Sequence, residues 1–169
     1  MVLVISATTI FAAAANPAKE RPVIRVTSEP TGRNWFTAKW ELCPNGLVLI
    51  RGYDGTKRTK VIGPAKVTAL LSKLERLGFY RITSRSVEES IEKFTTRVRE
   101  TPKGVSAEVE RLVISDCDVS TISVRRDAKT HTITFYAVEE MAEHYPKAAD
   151  LKILKKALSE VYKTAGDQP

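Results

Sequence analysis

The sequence predicts an α+β domain in which an antiparallel sheet, built from two batches of hairpin or meander strands, carries about three helices on one face. Three observations point there. Between Pro22 and Ile62, and again between Val119 and Ala137, apolar and polar residues alternate in short runs punctuated by turn residues. Leucines recur at helical spacing between these batches and after them. Strands and helices therefore segregate, which suits helices on an antiparallel sheet better than alternating βαβ units.

Met1 to Ala15 carry no charged side chain and end in four alanines, Ala12 to Ala15. Cleavage between Ala15 and Asn16 fits the A-x-A site of a secretory signal. No Lys or Arg precedes the apolar stretch, and Ser6, Thr8 and Thr9 dilute it, so a buried N-terminal strand and a single membrane anchor stand as alternatives. The expectation is a removed signal over residues 1–15 and one α+β domain over 16–169, periplasmic or secreted. No later stretch reaches the roughly 20 apolar residues a bilayer span requires, so no integral membrane segment is expected in the mature chain.

Val23, Ile24 and Val26 open the first strand, and Glu29-Pro30-Thr31-Gly32 turns it. Asn34 to Leu42 alternates, with Phe36, Ala38, Trp40 and Leu42 toward the core and Thr37, Lys39 and Glu41 away from it. Cys43-Pro44-Asn45-Gly46 is the next turn, in which Asn-Gly supplies positive φ. Leu47 to Tyr53 follows as a strand and Asp54-Gly55 as a turn. Thr56 to Ile62 then returns as a polar strand whose Lys57, Arg58 and Lys60 mark a sheet edge.

Gly63 and Pro64 start a helix with Val67, Leu70, Leu71, Leu74 and Leu77 on one stripe, and Gly78 ends it. A second helix is expected from Val87 to Arg99, with Ser86 and Glu89 at capping-box spacing, Val87, Ile91, Phe94 and Val98 inward, and Thr101 to Gly104 as terminator. Residues 105–118 follow no single period, and Leu112, Val113 and Ile114 suggest a short strand. Val119 to Arg126 and Thr130 to Ala137 read as a hairpin around Asp127-Ala128-Lys129, with His131, Ile133, Phe135 and Ala137 on one face. Val138 to His144 is a short helix before Tyr145-Pro146. The last helix, Ala148 to Lys163, turns Leu151, Leu154, Leu158 and Val161 inward, with Gly166 past its end.

A chain of 169 residues, 43% hydrophobic and 28% charged, has the composition of an ordinary globular domain. Its net charge of +7 does not depend on residues 1–15, which contribute no side-chain charge. A basic surface favours anionic partners, among them nucleic acid, acidic proteins, anionic lipid and cell-wall polymers. The basic residues are spread along the chain and not gathered in a tail. Cys43 and Cys117 are the whole thiol inventory. In an exported chain an even count allows one Cys43–Cys117 disulfide, with two buried free thiols as the alternative.

The order of signals resembles a family of small exported bacterial domains to which no function is assigned. The shared features are a strand ending in Cys43-Pro44, Gly-turn hairpins, a Gly63-led helix closing with Gly78-Phe79-Tyr80, then Asp118, a hairpin from Thr121 to Tyr136, a Tyr145-Pro146 break and a final Leu-rich helix. The resemblance spans Asn34 to Tyr162 and implies a fold and an address outside the cytoplasm, without catalytic residues. Two departures stand out: Asn45-Gly46 follows the Cys-Pro pair where the family tends to have an aromatic residue, and Arg85 to Leu112 enlarges the variable middle.

Candidate chemistry is sparse. Glu140 and His144, four apart with Glu143 beside them, share a helix face, but a zinc site wants three or four ligands, and His131 joins only through a tertiary approach. The expected reading is a surface pair. Asp116 and Asp118 flank Cys117 and, if extended, point the same way, as in a weak calcium site; turn chemistry, with Asp118 capping the backbone before the strand, is the expected alternative. There is no G-x-S-x-G, no Gly-rich phosphate loop and no H-E-x-x-H, so no catalytic, cofactor or metal residue is assigned. His131 reads as a core-edge histidine satisfied by one hydrogen bond. Trp35, Phe36, Trp40 and Tyr53 could stack bases, yet Phe36 and Trp40 fall on the core side and no nucleic-acid motif is present.

The functional expectation is a non-catalytic exported domain that binds a protein or an anionic envelope component through its sheet face or basic rim. The alternatives are a hydrolase or metal-dependent enzyme with a site built from scattered residues, and a nucleic-acid-binding domain. The sequence carries no signature of an oligomeric state.

Overall fold

The computed structural model describes residues 20–30, 36–101, 104–109, 112, 114 and 117–166. The expected leader over 1–15, the turn at Thr31-Gly32, and Trp35, Val113 and Asp116 lie outside the described residues.

Six strands form one antiparallel sheet: β1 (Ile24–Glu29), β2 (Ala38–Leu42), β3 (Leu47–Arg51), β4 (Lys57–Val61), β7 (Val119–Arg126) and β8 (Lys129–Tyr136). Their order is β4-β3-β2-β1-β7-β8. Each hairpin follows from its turn. At Asn45-Gly46, Gly46 adopts φ +86° and the Asn45 side chain accepts from Leu47 N at 2.9 Å, so the chain reverses without a wide loop. β1 is the hinge of the topology, because it pairs with β2 on one side and with β7 on the other, joining the two batches.

Alternation decides the faces. Ile24, Val26, Ala38, Trp40, Leu42, Val48, Ile50, Ile122, Val124, Ile133 and Phe135 are all buried on one face. The helices α1 (Pro64–Leu77), α2 (Ser84–Thr95), α3 (Val138–His144) and α4 (Ala149–Ala165) pack against it. α1 starts with Pro64 at its first position, where the missing amide costs nothing, and stops at Gly78, which takes φ +83° and returns its N–H to Glu75 O. Its Leu70 and Leu74 and the Leu151, Leu154, Leu158 and Val161 stripe of α4 close the core over the sheet. Fully burying side chains of this kind contributes about 1.5–3 kcal/mol each. Among the described residues no helix is long and apolar enough to cross a membrane.

The middle of the chain departs from expectation. α2 begins three residues before Val87, at Ser84, and its cap is Thr83: Thr83 Oγ1 accepts from Ser86 N at 3.0 Å, while Ser86 Oγ accepts from Thr83 N at 2.9 Å. Ser86 is thus the returning partner of a capping box and not its N-cap. The helix ends at Thr95, and the expected continuation to Arg99 is strand β5 (Thr96–Thr101), paired antiparallel with β6 (Gly104–Val109). Thr95, Thr96 and Val98 are β-branched in near succession, which disfavours another helical turn and favours an extended one. Phe94, expected inward, is 48% exposed at the end of the shortened helix.

Phe36 is the other correction. It precedes β2, which begins at Ala38, and is 50% exposed instead of buried with Trp40. The Arg51 guanidinium lies over its ring, 4.8 Å from the centroid.

Candidate functional site

Two surfaces stand out once the register is drawn: the open face of the sheet, and a cavity at the end where β1 stops and β7 starts.

On the open face, cross-strand partners align Lys57 with Arg51, Arg51 with Lys39, Lys39 with Thr27, Thr27 with Thr121, and Thr121 with Thr134. One straight row of three cations and three hydroxyls therefore crosses all six strands, about 24 Å at the usual strand spacing. Thr121 and Thr134 are hydrogen-bonded through their hydroxyls at 2.9 Å, and Ser123 and Thr132 in the next row at 3.0 Å. Like charges directly opposite each other destabilise a sheet. The compensation here is thin. Glu41 accepts ion pairs from both Lys39 at 2.9 Å and Arg25 at 2.8 Å, Arg51 leans on Phe36, its Nε is buried without a hydrogen-bond partner, and Lys57 has no ion pair among the described residues. By contrast, Lys73, Arg126 and Lys155 each have their own carboxylate, on Glu160, Glu75 and Glu139. β4 closes this face as an edge strand, exposed at all five residues, as the Lys57, Arg58 and Lys60 pattern predicts.

The cavity holds about 500 Å³ and lies between the C-terminal end of β1, the start of β7, the β8–α3 junction and α4. Its polar wall is a three-residue network. Ser28 Oγ donates to Asp118 Oδ2 at 3.0 Å, the Tyr53 hydroxyl donates to the same oxygen, and the two hydroxyl oxygens are 2.7 Å apart. Burial, reinforced by the bond to Asp118, pushes the Tyr53 phenol up to about 12, so it stays a proton donor at any physiological pH. Tyr162, on α4, stands edge-on to Trp40 with centroids 4.8 Å apart, and burial pushes its phenol up as well. Ala137, also in the lining, holds φ +44° although it is not glycine, a conformation that costs about 1–2 kcal/mol, and donates its N–H to Asp118 O at 2.9 Å.

The structure separates the cysteines. Leu42, next to Cys43, pairs with Ile24 at one end of β1, whereas Val119, two residues after Cys117, pairs with Glu29 at the other. β1 alone spans about 16 Å between them, far beyond the roughly 7 Å that a disulfide tolerates between α-carbons. Both are free thiols: Cys43 is buried near Glu20 O, with its pKa raised by burial and then by Glu20 and Glu41, and Cys117 is half-buried with Sγ 3.5 Å from Ile114 O. The expected Cys43–Cys117 bridge is corrected accordingly.

Among the described residues the Asp118 carboxylate caps no backbone group before β7; it is drawn sideways onto Ser28 of β1 and Tyr53. Sequence reading missed this network, although Ser28 offers a signal: it follows Ile24 and Val26 on the core face, and a hydroxyl only 3% exposed needs a partner. His131 sits where expected, half-buried, its Nε2 2.9 Å from Ile82 O and its ring edge-on to Phe79. His144 packs on Tyr145, and among the described residues no three His, Cys, Asp or Glu gather closely enough to hold a metal ion. Trp40 is 2% exposed and faces α4, so it offers no surface to a nucleic-acid base. Ser28 and Tyr53 both donate to the Asp118 carboxylate, so the network sets two hydroxyls and one acceptor at fixed positions in the cavity wall. No protein-family model, curated protein or solved structure matches the chain.

Proposed function

We propose that this chain is an exported, non-catalytic binding domain that takes an anionic partner, an acidic protein segment or an anionic envelope polymer, on the open face of its sheet. The supporting observation is the Lys57–Arg51–Lys39–Thr27–Thr121–Thr134 row. Three in-register cations with one shared carboxylate nearby repel one another, and anionic groups laid across them remove that repulsion while the threonines supply hydroxyl donors. The charge-free Met1–Ala15 segment supports export, and the order of signals from Cys43-Pro44 to the last helix supports kinship with small exported bacterial domains.

The test is a titration of the full chain with poly-L-glutamate, vesicles containing anionic lipid, and random-sequence duplex DNA. Binding to the first or second should weaken on the order of tenfold as salt rises from about 50 to 200 mM, the mark of a few neutralised charges. Replacing Lys39, Arg51 and Lys57 together by Ser should abolish it. Retention of binding by that variant refutes the assignment of the face, and a clear preference for DNA supports the nucleic-acid alternative. For export, the N-terminal residue of protein made in its own host should be Asn16; an intact Met1 contradicts it.

A further inference from the structure

The cavity beneath the Ser28–Tyr53–Asp118 network carries a sign opposite to the rest of the protein. Its described lining residues include Asp118, Glu139 and Glu140 and no Lys, Arg or His; Glu139 is paired with Lys155 outside the lining, which leaves Asp118 and Glu140 without a cation among the described residues. This occurs on a chain with a net charge of +7. Its volume, about 500 Å³, is within the roughly 300–1,000 Å³ usual for small-molecule sites.

The second observation is Tyr162. The residue is only 9% exposed, its ring is fixed edge-on against Trp40, and its hydroxyl has no hydrogen-bond partner among the described residues. That hydroxyl is near enough to Tyr53, Glu139 and Asp118 for their charges to act on it, which places it among the cavity's polar groups. The ring is buried while its residue lines the cavity, so the hydroxyl is open there to a hydrogen bond from a ligand atom. Asp118 contributes likewise: Oδ2 takes both hydroxyls, and Oδ1 has no hydrogen-bond partner among the described residues.

We propose that this cavity binds a small organic cation carrying an ammonium or guanidinium group, with its charge on Asp118, a donor or acceptor contact to the Tyr162 hydroxyl, and its aliphatic stem along Val138 and Leu158. The spacing of the carboxylates selects this class. They do not converge as metal ligands do, but line successive parts of the wall, matching a ligand with separated donor groups. Ammonium and guanidinium groups also suit sites where phenol rings and carboxylates combine. This site is independent of the open face, where the charges are cationic.

The experiment is a fluorescence titration in a Trp35→Phe background, which leaves Trp40, in contact with Tyr162, as the single indole. The probes are 1,4-diaminobutane and agmatine, with 1-butanol and butyrate as neutral and anionic controls at constant ionic strength. The two cations should give a saturable change with Kd of about 1 mM or tighter, and the controls none. Asp118→Asn should weaken binding about tenfold or more, and Tyr162→Phe, which keeps the ring on Trp40, about threefold or more. The Lys39, Arg51 and Lys57 triple variant should respond like the parent, which separates this site from the open face. No saturable response to either cation at about 10 mM, an equal response to 1-butanol, or displacement of the amines by calcium alone overturns the proposal. Should Asp118→Asn fail to fold, unchanged affinity in Tyr162→Phe overturns it equally.

Discussion

Replacing Tyr53 with Phe deletes one oxygen and leaves the ring in place, so it isolates the network that ties β1, the loop after β3 and the start of β7 together. A hydrogen bond to a charged group contributes about 1.5–3 kcal/mol. Asp118 is half-buried and keeps the Ser28 hydroxyl at 3.0 Å, so water can partly replace the phenol and the lower end of that range is expected. Urea unfolding followed by circular dichroism should show the midpoint falling at unchanged slope, equivalent to about 1.5–2 kcal/mol. A double-mutant cycle with Asp118→Asn should give a coupling on the order of 1 kcal/mol. The alkaline limb supplies an independent check. The Tyr53 phenol is held at about 12 in the folded chain against an ordinary 10. The stability it lends is therefore complete below pH 10 and is lost as pH rises through 12, because the unfolded chain ionises first. Tyr53→Phe has no such proton to lose, so its deficit should shrink across that window. A loss under about 0.5 kcal/mol, or a deficit constant from pH 9 to 12, refutes the reading of the network.

Four further outcomes follow from the packing. Gly46→Ala sets a β-carbon 2.3 Å from the Gly63 carbonyl carbon at φ +86°, so thermal melting should show a loss of more than about 2 kcal/mol. Phe79→Ala empties a site with 0% exposure beside His131 and should cost about 3–5 kcal/mol in the same assay. Native protein should show Cys117 reacting with a thiol reagent at least about tenfold faster than Cys43, because Cys43 is buried with its thiolate further disfavoured by Glu20 and Glu41; a mass two hydrogens short would instead mean a bridge. Lys57→Thr should stabilise the protein by a few tenths of a kcal/mol at low ionic strength and by nothing at high salt, since it relieves repulsion with Arg51.

Local chemistry made most of the fold legible. The Gly63-Pro64 start and Gly78 stop of α1, the leucine stripe of α4 and the alternation of β2 are each encoded within one element, and each falls within a few residues of its expected place. Around Thr95 the helical and strand periods overlap, so the sequence alone does not place the boundary: Val87, Ile91, Phe94 and Val98 fit a helix, while the β-branched run ends it. The candidate site was less legible because it is made by tertiary approach. Ser28 and Asp118 are 90 residues apart, and only the β1–β7 pairing, which no local signal specifies, brings them together. Pairing of β1 with β2 on one side and β7 on the other carries Cys43 and Cys117 to its opposite ends, against the even-count argument for a bridge. The cationic row was half visible: Lys57, Arg58 and Lys60 announce an edge strand, but the alignment of Lys57, Arg51 and Lys39 exists only in the register.

The most direct trial of the anionic-partner reading is a backbone-amide NMR footprint of poly-L-glutamate on the isotope-labelled full chain. Shift changes should concentrate on β2, β3 and β4 around Lys39, Arg51 and Lys57 and extend along the row to Thr27, Thr121 and Thr134. A footprint centred instead on the helical side, at Lys73 and Lys155, would contradict it.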